Sequence, residues 1–275
     1  MKMKQENGFV RRYVIPVGYA VLVYIIWELA GTLVSHVIGK ITGNWEQSLY
    51  SNYIIMLLDE ILTFVIMFAL FHKKVQFVRG EKGVAFGKFA LCMLIVPIIQ
   101  IGDDVATILS NKCVFSLLSG KGIRFFVICC AACLSIGLLE EYVWRGIVLN
   151  HFLSVWGEKK KGIYLAVLIS SLCFGLCHYM NLLGGQEFAD TTKQVIAAVG
   201  MGVFLAALYL KTNNLLFPAL VHGLCNLSNF LMNEILGWDY SVWKYDDILQ
   251  WGLAAIYFVV GIYCIYRMKI VENPD

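Results

Sequence analysis

Apolar residues in this chain come in long unbroken blocks, not in the alternating or one-sided patterns of soluble strands and helices. The hydrocarbon core of a bilayer, about 30 Å thick, takes about 20 residues of α-helix to cross. Blocks of that order lie at 14–37, 50–72, 87–109, 124–153, 162–183, 195–211, 214–236 and 248–267. They predict an all-α polytopic membrane protein with about eight transmembrane helices. The first block is too long for a secretory leader and lacks a small-residue cleavage pattern, so it reads as a retained span. No fixed-period repeat, Pro- or Ser-rich linker or large loop interrupts the pattern. Residues 1–275 therefore read as a single membrane domain.

Composition agrees: 59% of residues are hydrophobic and 15% charged, against roughly 25% charged in soluble domains. This excludes an ordinary soluble enzyme and a disordered chain. The net charge of +3 is small and scattered, which argues against nucleic acid as a partner. The basic residues orient the spans. One set of alternate connections holds Lys2, Lys4, Arg11, Arg12, Lys73, Lys74, Arg79, Lys82, Lys88, Lys159 to Lys161, Lys211, Arg267 and Lys269; the other holds Lys40, Lys112, Lys121, Arg124, Lys193 and Lys244. The positive-inside rule then places both termini in the cytoplasm. Trp238, Tyr240, Trp243 and Tyr245 read as an aromatic belt at the outer surface. Of the nine cysteines, all but Cys113 fall within spans and read as small buried apolar residues. Cys130 and Cys133 form a CxxC without a second pair, short of the ligands a zinc site needs.

Against this apolar background, an ionisable group at membrane depth costs at least about 2.5 kcal/mol, which makes each one a functional candidate. They are densest in the fourth block, at Glu140-Glu141-Tyr142-Val143-Trp144-Arg145. Two adjacent carboxylates in hydrocarbon both ionise only with partners. Glu141 and Arg145 are i,i+4, stacked on one helix face as a structural ion pair. Glu140 points about 100° away, which reads as the unpaired, chemical carboxylate. The fifth block carries Phe174-Gly175-Leu176-Cys177-His178, and the seventh carries His222 with Asn226, again i,i+4. Two histidines, an asparagine and a glutamate from three helices point to one site.

Those groups suit amide hydrolysis. A desolvated carboxylate is a competent general base for water, a histidine holds that water or protonates the leaving amine, and a histidine beside an asparagine can donate to an oxyanion. Other protease chemistries fit less well. There is no HExxH helix and no GxSxG elbow. Asn273-Pro274-Asp275 is similar to a metal-ligand fragment of another intramembrane protease class but lacks its partner motif, and Asp103-Asp104 lacks the rest of an aspartyl-protease signature.

The ordered set EExxxR (Glu140, Glu141, Arg145), FxxxH (Phe174, His178) and HxxxN (His222, Asn226) resembles the CAAX protease and bacteriocin-processing family, the CPBP or Abi proteins. The resemblance covers residues 140–226 and implies an eight-helix membrane fold that hydrolyses a peptide bond of a peptide or protein substrate at the bilayer. It implies that Glu140 activates water with His178, that His222 and Asn226 form the oxyanion hole, and that Glu141 and Arg145 are a structural pair. No cofactor is favoured. The alternative is zinc held by Glu140, His178 and His222 with an open position for water. The family's branches remove a tripeptide after a prenylated cysteine or serve bacteriocin immunity and peptide processing; compactness points to the second.

A proton-coupled transporter is the alternative of another class, but no inverted repeat or paired broken helices are present. A non-catalytic immunity or scaffold protein is a third, against which the intact motifs count. Glu28, Asp59, Glu60 and Glu234 also fall in spans and read as hydrogen-bond partners between helices, with Asp59 or Glu60 placed to meet Arg145 or line substrate access. His178 lies deeper into its block than His222 by about 12 Å at 1.5 Å per residue, so their meeting requires tilt or a fifth span starting near residue 166.

Overall fold

A computed structural model of the chain describes residues 8–43, 49–78, 120–236 and 246–268, together with residues 95, 98 and 102. The described residues are helical almost throughout. After a π turn at Val10–Val14 come α1 (Ile15–Thr42), α2 (Leu49–Phe71), α3 (Gly120–Glu141), a π segment (Tyr142–Leu149), α4 (Asn150–Trp156), α5 (Lys160–Cys177), a 3₁₀ turn (His178–Gly184), α6 (Phe188–Thr212), α7 (Leu216–Leu236) and α8 (Asp246–Tyr266). Among the described residues, five helical stretches are long and apolar enough to cross a bilayer: Val10–Thr42, Asn52–Phe71, Gly122–Trp156, Lys160–Gly184 and Phe188–Thr212. Two shorter apolar stretches, Leu216–Leu227 and Trp251–Tyr266, fall where the last two spans are expected. The expected third span, 87–109, lies almost wholly outside the described residues, as do the 237–245 aromatics and the Asp103-Asp104 and Asn273-Pro274-Asp275 fragments. The all-α membrane class holds.

The outer helices are inverted relative to a soluble protein. On α1, Leu22, Ile25, Leu29 and Leu33 form an exposed apolar stripe at helical spacing. On α8, Ile256, Val259 and Tyr263 do the same. In water such faces would associate; in lipid they need no cover.

The chain divides into two compact units. One is Met1–Ile25, Val143–Asn213 and Lys244–Asp275; the other is Ile26–Tyr142 and Asn214–Trp243. In the first, α6 packs against both α5 and α8. Every residue of α6 from Val203 to Tyr209 is buried, because a helix apolar on all sides belongs at the centre of its bundle. Asn213 ends α6 in the left-handed conformation at φ 50°, which asparagine tolerates better than most residues.

In the second unit, α3 packs against α2 and α7. Tyr53 of α2, Cys129, Ala132 and Cys133 of α3 and Leu227 of α7 form one buried cluster. The α3–α7 approach is closest at two glycines. A Cβ on Gly137 would lie 2.6 Å from the Ala219 carbonyl oxygen and 2.6 Å from the Gly223 nitrogen, and one on Gly223 would lie 2.9 Å from the Leu134 Cα. With no hydrophobic drive between helices in lipid, such backbone-to-backbone contact is what holds them together.

Candidate active site

Gly137 and Gly223 set the site's geometry in the second unit. Glu140 and Glu141 follow Gly137 by about one turn, and His222 is the residue before Gly223. With the two backbones in contact, the imidazole of His222 fits between both carboxylates. Its Nδ1 lies 2.9 Å from Glu141 Oε1, and its Nε2 lies 3.5 Å from Glu140 Oε2. Burial grades across the trio: the Glu141 side chain is 0% exposed and that of His222 3%, while Glu140 retains 18%. The innermost carboxylate thus accepts from Nδ1–H and orients the ring, in the manner of a carboxylate behind a catalytic histidine. The outer carboxylate alone retains access to surrounding space.

Glu140 is therefore not the isolated carboxylate that helix spacing alone implies; His222 stands beside it. Glu141, assigned by spacing to Arg145, donates its geometry to His222 through the 2.9 Å contact. From Tyr142 onward the helix is π, with i→i+5 bonding in place of i→i+4, so α-helical spacing does not carry across residues 142–149.

Asn226 lies one turn beyond His222 on α7, half-buried, and its amide makes no hydrogen bond among the described residues. Glu60 is a further acidic neighbour. Tyr53 and Phe64 of α2 contact Phe125 and Tyr142 edge-on, each pair at 5.3 Å. That register runs α2 alongside the helix toward Glu140. Glu60 shares the Tyr53 and Phe64 face, and its carboxyl lies within electrostatic reach of Glu140 and Asp59. Asp59 itself accepts from Ser35 Oγ at 2.6 Å. Glu28 is half-buried on α1, and the Glu234 side chain lies outside the described residues.

The remaining motif residues meet in the first unit. Arg145, 2% exposed, donates from Nη2 to the Gly202 carbonyl at 3.0 Å, and its guanidinium carbon lies 4.8 Å above the Phe174 ring. Phe174 meets His178 edge-on at 5.3 Å. The phenylalanine of FxxxH is thus the plate between arginine and histidine, a cation–π role that sequence spacing did not reveal. His178 Nδ1 donates to the Phe174 carbonyl at 3.1 Å, which leaves Nε2 as the acceptor. His178 ends α5, which begins at Lys160, so the later start near residue 166 is not what the fold uses.

For a metal, three or more donors must converge on one point. Among the described residues no three His, Cys, Asp or Glu side chains are so grouped. In the Glu140–His222–Glu141 trio both ring nitrogens face carboxylates, an arrangement suited to moving protons.

Residues 122–228 match the family described as Type II CAAX prenyl endopeptidase Rce1-like. All three motifs lie inside this range, consistent with the CPBP class of membrane proteases. No curated protein and no solved structure matches the chain.

Proposed function

We propose that this chain, whose residues 122–228 match the Rce1-like family, is a membrane peptidase that hydrolyses a peptide bond of a lipidated or otherwise membrane-associated peptide through a water activated by Glu140. The observation that carries this reading is the placement of His222 between Glu140 and Glu141. Glu140, the outermost of the three, takes a proton from water as the water oxygen attacks the scissile carbonyl carbon. With Nδ1 held by Glu141, Nε2–H of the doubly protonated ring, together with the Asn226 amide, donates to the tetrahedral oxyanion. On collapse the C–N bond breaks and the proton held by Glu140 passes to the leaving amine. His178 belongs to the FxxxH motif, and its Nδ1 is committed to the Phe174 carbonyl. Arg145 keeps Phe174, and through it His178, in place.

The test is cleavage of a membrane peptide by the purified full chain in lipid nanodiscs, comparing wild type with Glu140→Gln. Wild-type turnover by the variant would refute the assignment. The metal-free reading expects full activity after exhaustive chelation; activity lost on chelation and restored by zinc would replace it with zinc-bound water. For the physiological setting, bacteriocin immunity or peptide processing, a membrane proteome of cells carrying Glu140→Gln should accumulate uncleaved precursors. An unchanged proteome would refute that setting.

A further inference from the structure

A cavity of about 390 Å³ opens where the chain turns from α4 into α5. Its wall is built from Arg12 and Tyr13 of the N-terminal π turn, Trp156 at the end of α4, Glu158 and Lys159 of the connection, and Lys161 of the first turn of α5. All belong to one unit of the fold. The wall is held rigidly. Trp156 is buried, its Nε1 donates to the Arg12 carbonyl at 2.5 Å, and its ring stacks on Phe152 at 4.7 Å. Gly162 permits the turn: a Cβ there would collide with the Trp156 carbonyl oxygen.

The lining is electropositive. Arg12, Lys159 and Lys161 are exposed at its rim, and among the described residues none of them forms an ion pair. Glu158, the one acid in the wall, likewise pairs with none of them and offsets only part of their charge. Lys160 behaves differently: its Nζ donates to the Tyr266 carbonyl at 2.7 Å and lies 5.0 Å from that ring's centroid. The cavity thus gathers Lys159 and Lys161 of this basic run together with Arg12, whose guanidinium lies 6.0 Å from the Tyr13 ring centroid in the same wall. The N-terminus of α5 adds to them, because Lys159 caps it with no side-chain hydrogen bond and leaves N–H groups available to an anion. Cations, helix N–H groups and a tryptophan wall suit a phosphate.

The surroundings specify a lipid as its source. Span Gly122–Trp156 ends here and span Lys160–Gly184 begins here, which sets the cavity at the membrane boundary. Phe9 and Val14, 61% and 51% exposed, flank it on the N-terminal helix, and Leu165 lines it one turn into α5. A ligand charged at one end and apolar at the other satisfies both parts. We propose that this cavity is a headgroup site for an anionic phospholipid, on the face that the basic-residue pattern assigns to the cytoplasm. The bound lipid bridges the N-terminal turn and the α4–α5 connection.

Native mass spectrometry of the full chain in detergent, with added phosphatidylglycerol or phosphatidylcholine, tests the site. Wild type should retain phosphatidylglycerol preferentially. Each basic residue near an anionic lipid contributes roughly a factor of five, so Arg12→Gln with Lys161→Gln should weaken retention about twenty-fivefold. Lys73→Gln with Lys74→Gln changes net charge equally and should leave retention unchanged. Should the first pair fail to fold, Lys159→Gln alone should weaken it about fivefold. Equal retention of both lipids, equal losses in the two double variants, or release of lipid by millimolar inorganic phosphate would each overturn the proposal.

Discussion

A single imidazole between two carboxylates has to distinguish them, and burial is what does so here. Glu141, fully enclosed, holds the ring at 2.9 Å; Glu140, partly open, is the one a water can reach. The two glutamates are therefore expected to fail differently. Glu140→Gln should cost about two to four orders of magnitude in kcat, the usual worth of a general base, with an unchanged melting temperature. Glu141→Gln should reduce turnover and also destabilise the fold, because breaking a buried charged pair costs about 3–5 kcal/mol. Thermal unfolding alongside peptide cleavage separates the two outcomes. An unfolding midpoint for Glu141→Gln equal to wild type would show that the inner carboxylate supports no structure. The identities of these residues were legible in the sequence because charge is costly in hydrocarbon and so stands out. Their partnership was not, since i,i+4 spacing reports only neighbours within one helix and His222 arrives from α7.

What brings α7 into reach is a property of elements. Gly137 and Gly223 let the α3 and α7 backbones touch, one turn from the carboxylates and one residue from the imidazole. Gly137→Ala inserts a methyl where the nearest backbone atoms lie at 2.6 Å, and overpacking of this kind costs about 1–3 kcal/mol. Because the displaced backbone carries His222, the same change should lower kcat more than it raises KM. Gly252→Ala, with no atom within 4 Å of the new Cβ, should be silent in both assays. Equal effects from the two substitutions would show that the glycine contact does not position the site. The hydrophobic blocks announced most of these helices. They did not announce the π segment at Tyr142–Leu149, because the switch from i→i+4 to i→i+5 bonding leaves no trace in an all-apolar pattern. It coincides with the motif arginine, in keeping with the frequent association of π geometry with functional sites.

At the scale of the whole molecule, the few charges divide between those that orient the spans and those that do chemistry. The helical run Gly122–Trp156 has 35 residues, well beyond the roughly 20 needed to cross a bilayer, so tilt or overhang takes up the excess. Glu140 lies near the middle of that run. The excess of Lys and Arg in alternate connections is the reason both chain ends are expected on the cytoplasmic side. Cys113 provides an internal test. The described cysteines all lie in helices and are buried or half-buried, whereas Cys113 falls in the connection expected outside, between the blocks 87–109 and 124–153. A membrane-impermeant maleimide applied to intact cells should label wild type and not Cys113→Ser. Labelling that requires permeabilised cells would invert the orientation, and would move the basic cavity at the α4–α5 turn to the opposite leaflet. The eight spans expected from the sequence would return the chain to its starting side, so reporters fused to either terminus should give the same cytoplasmic signal. Reporters on opposite sides would mean an odd number of crossings, and would point to one of the two shorter stretches, Leu216–Leu227 or Trp251–Tyr266, as the segment that does not cross.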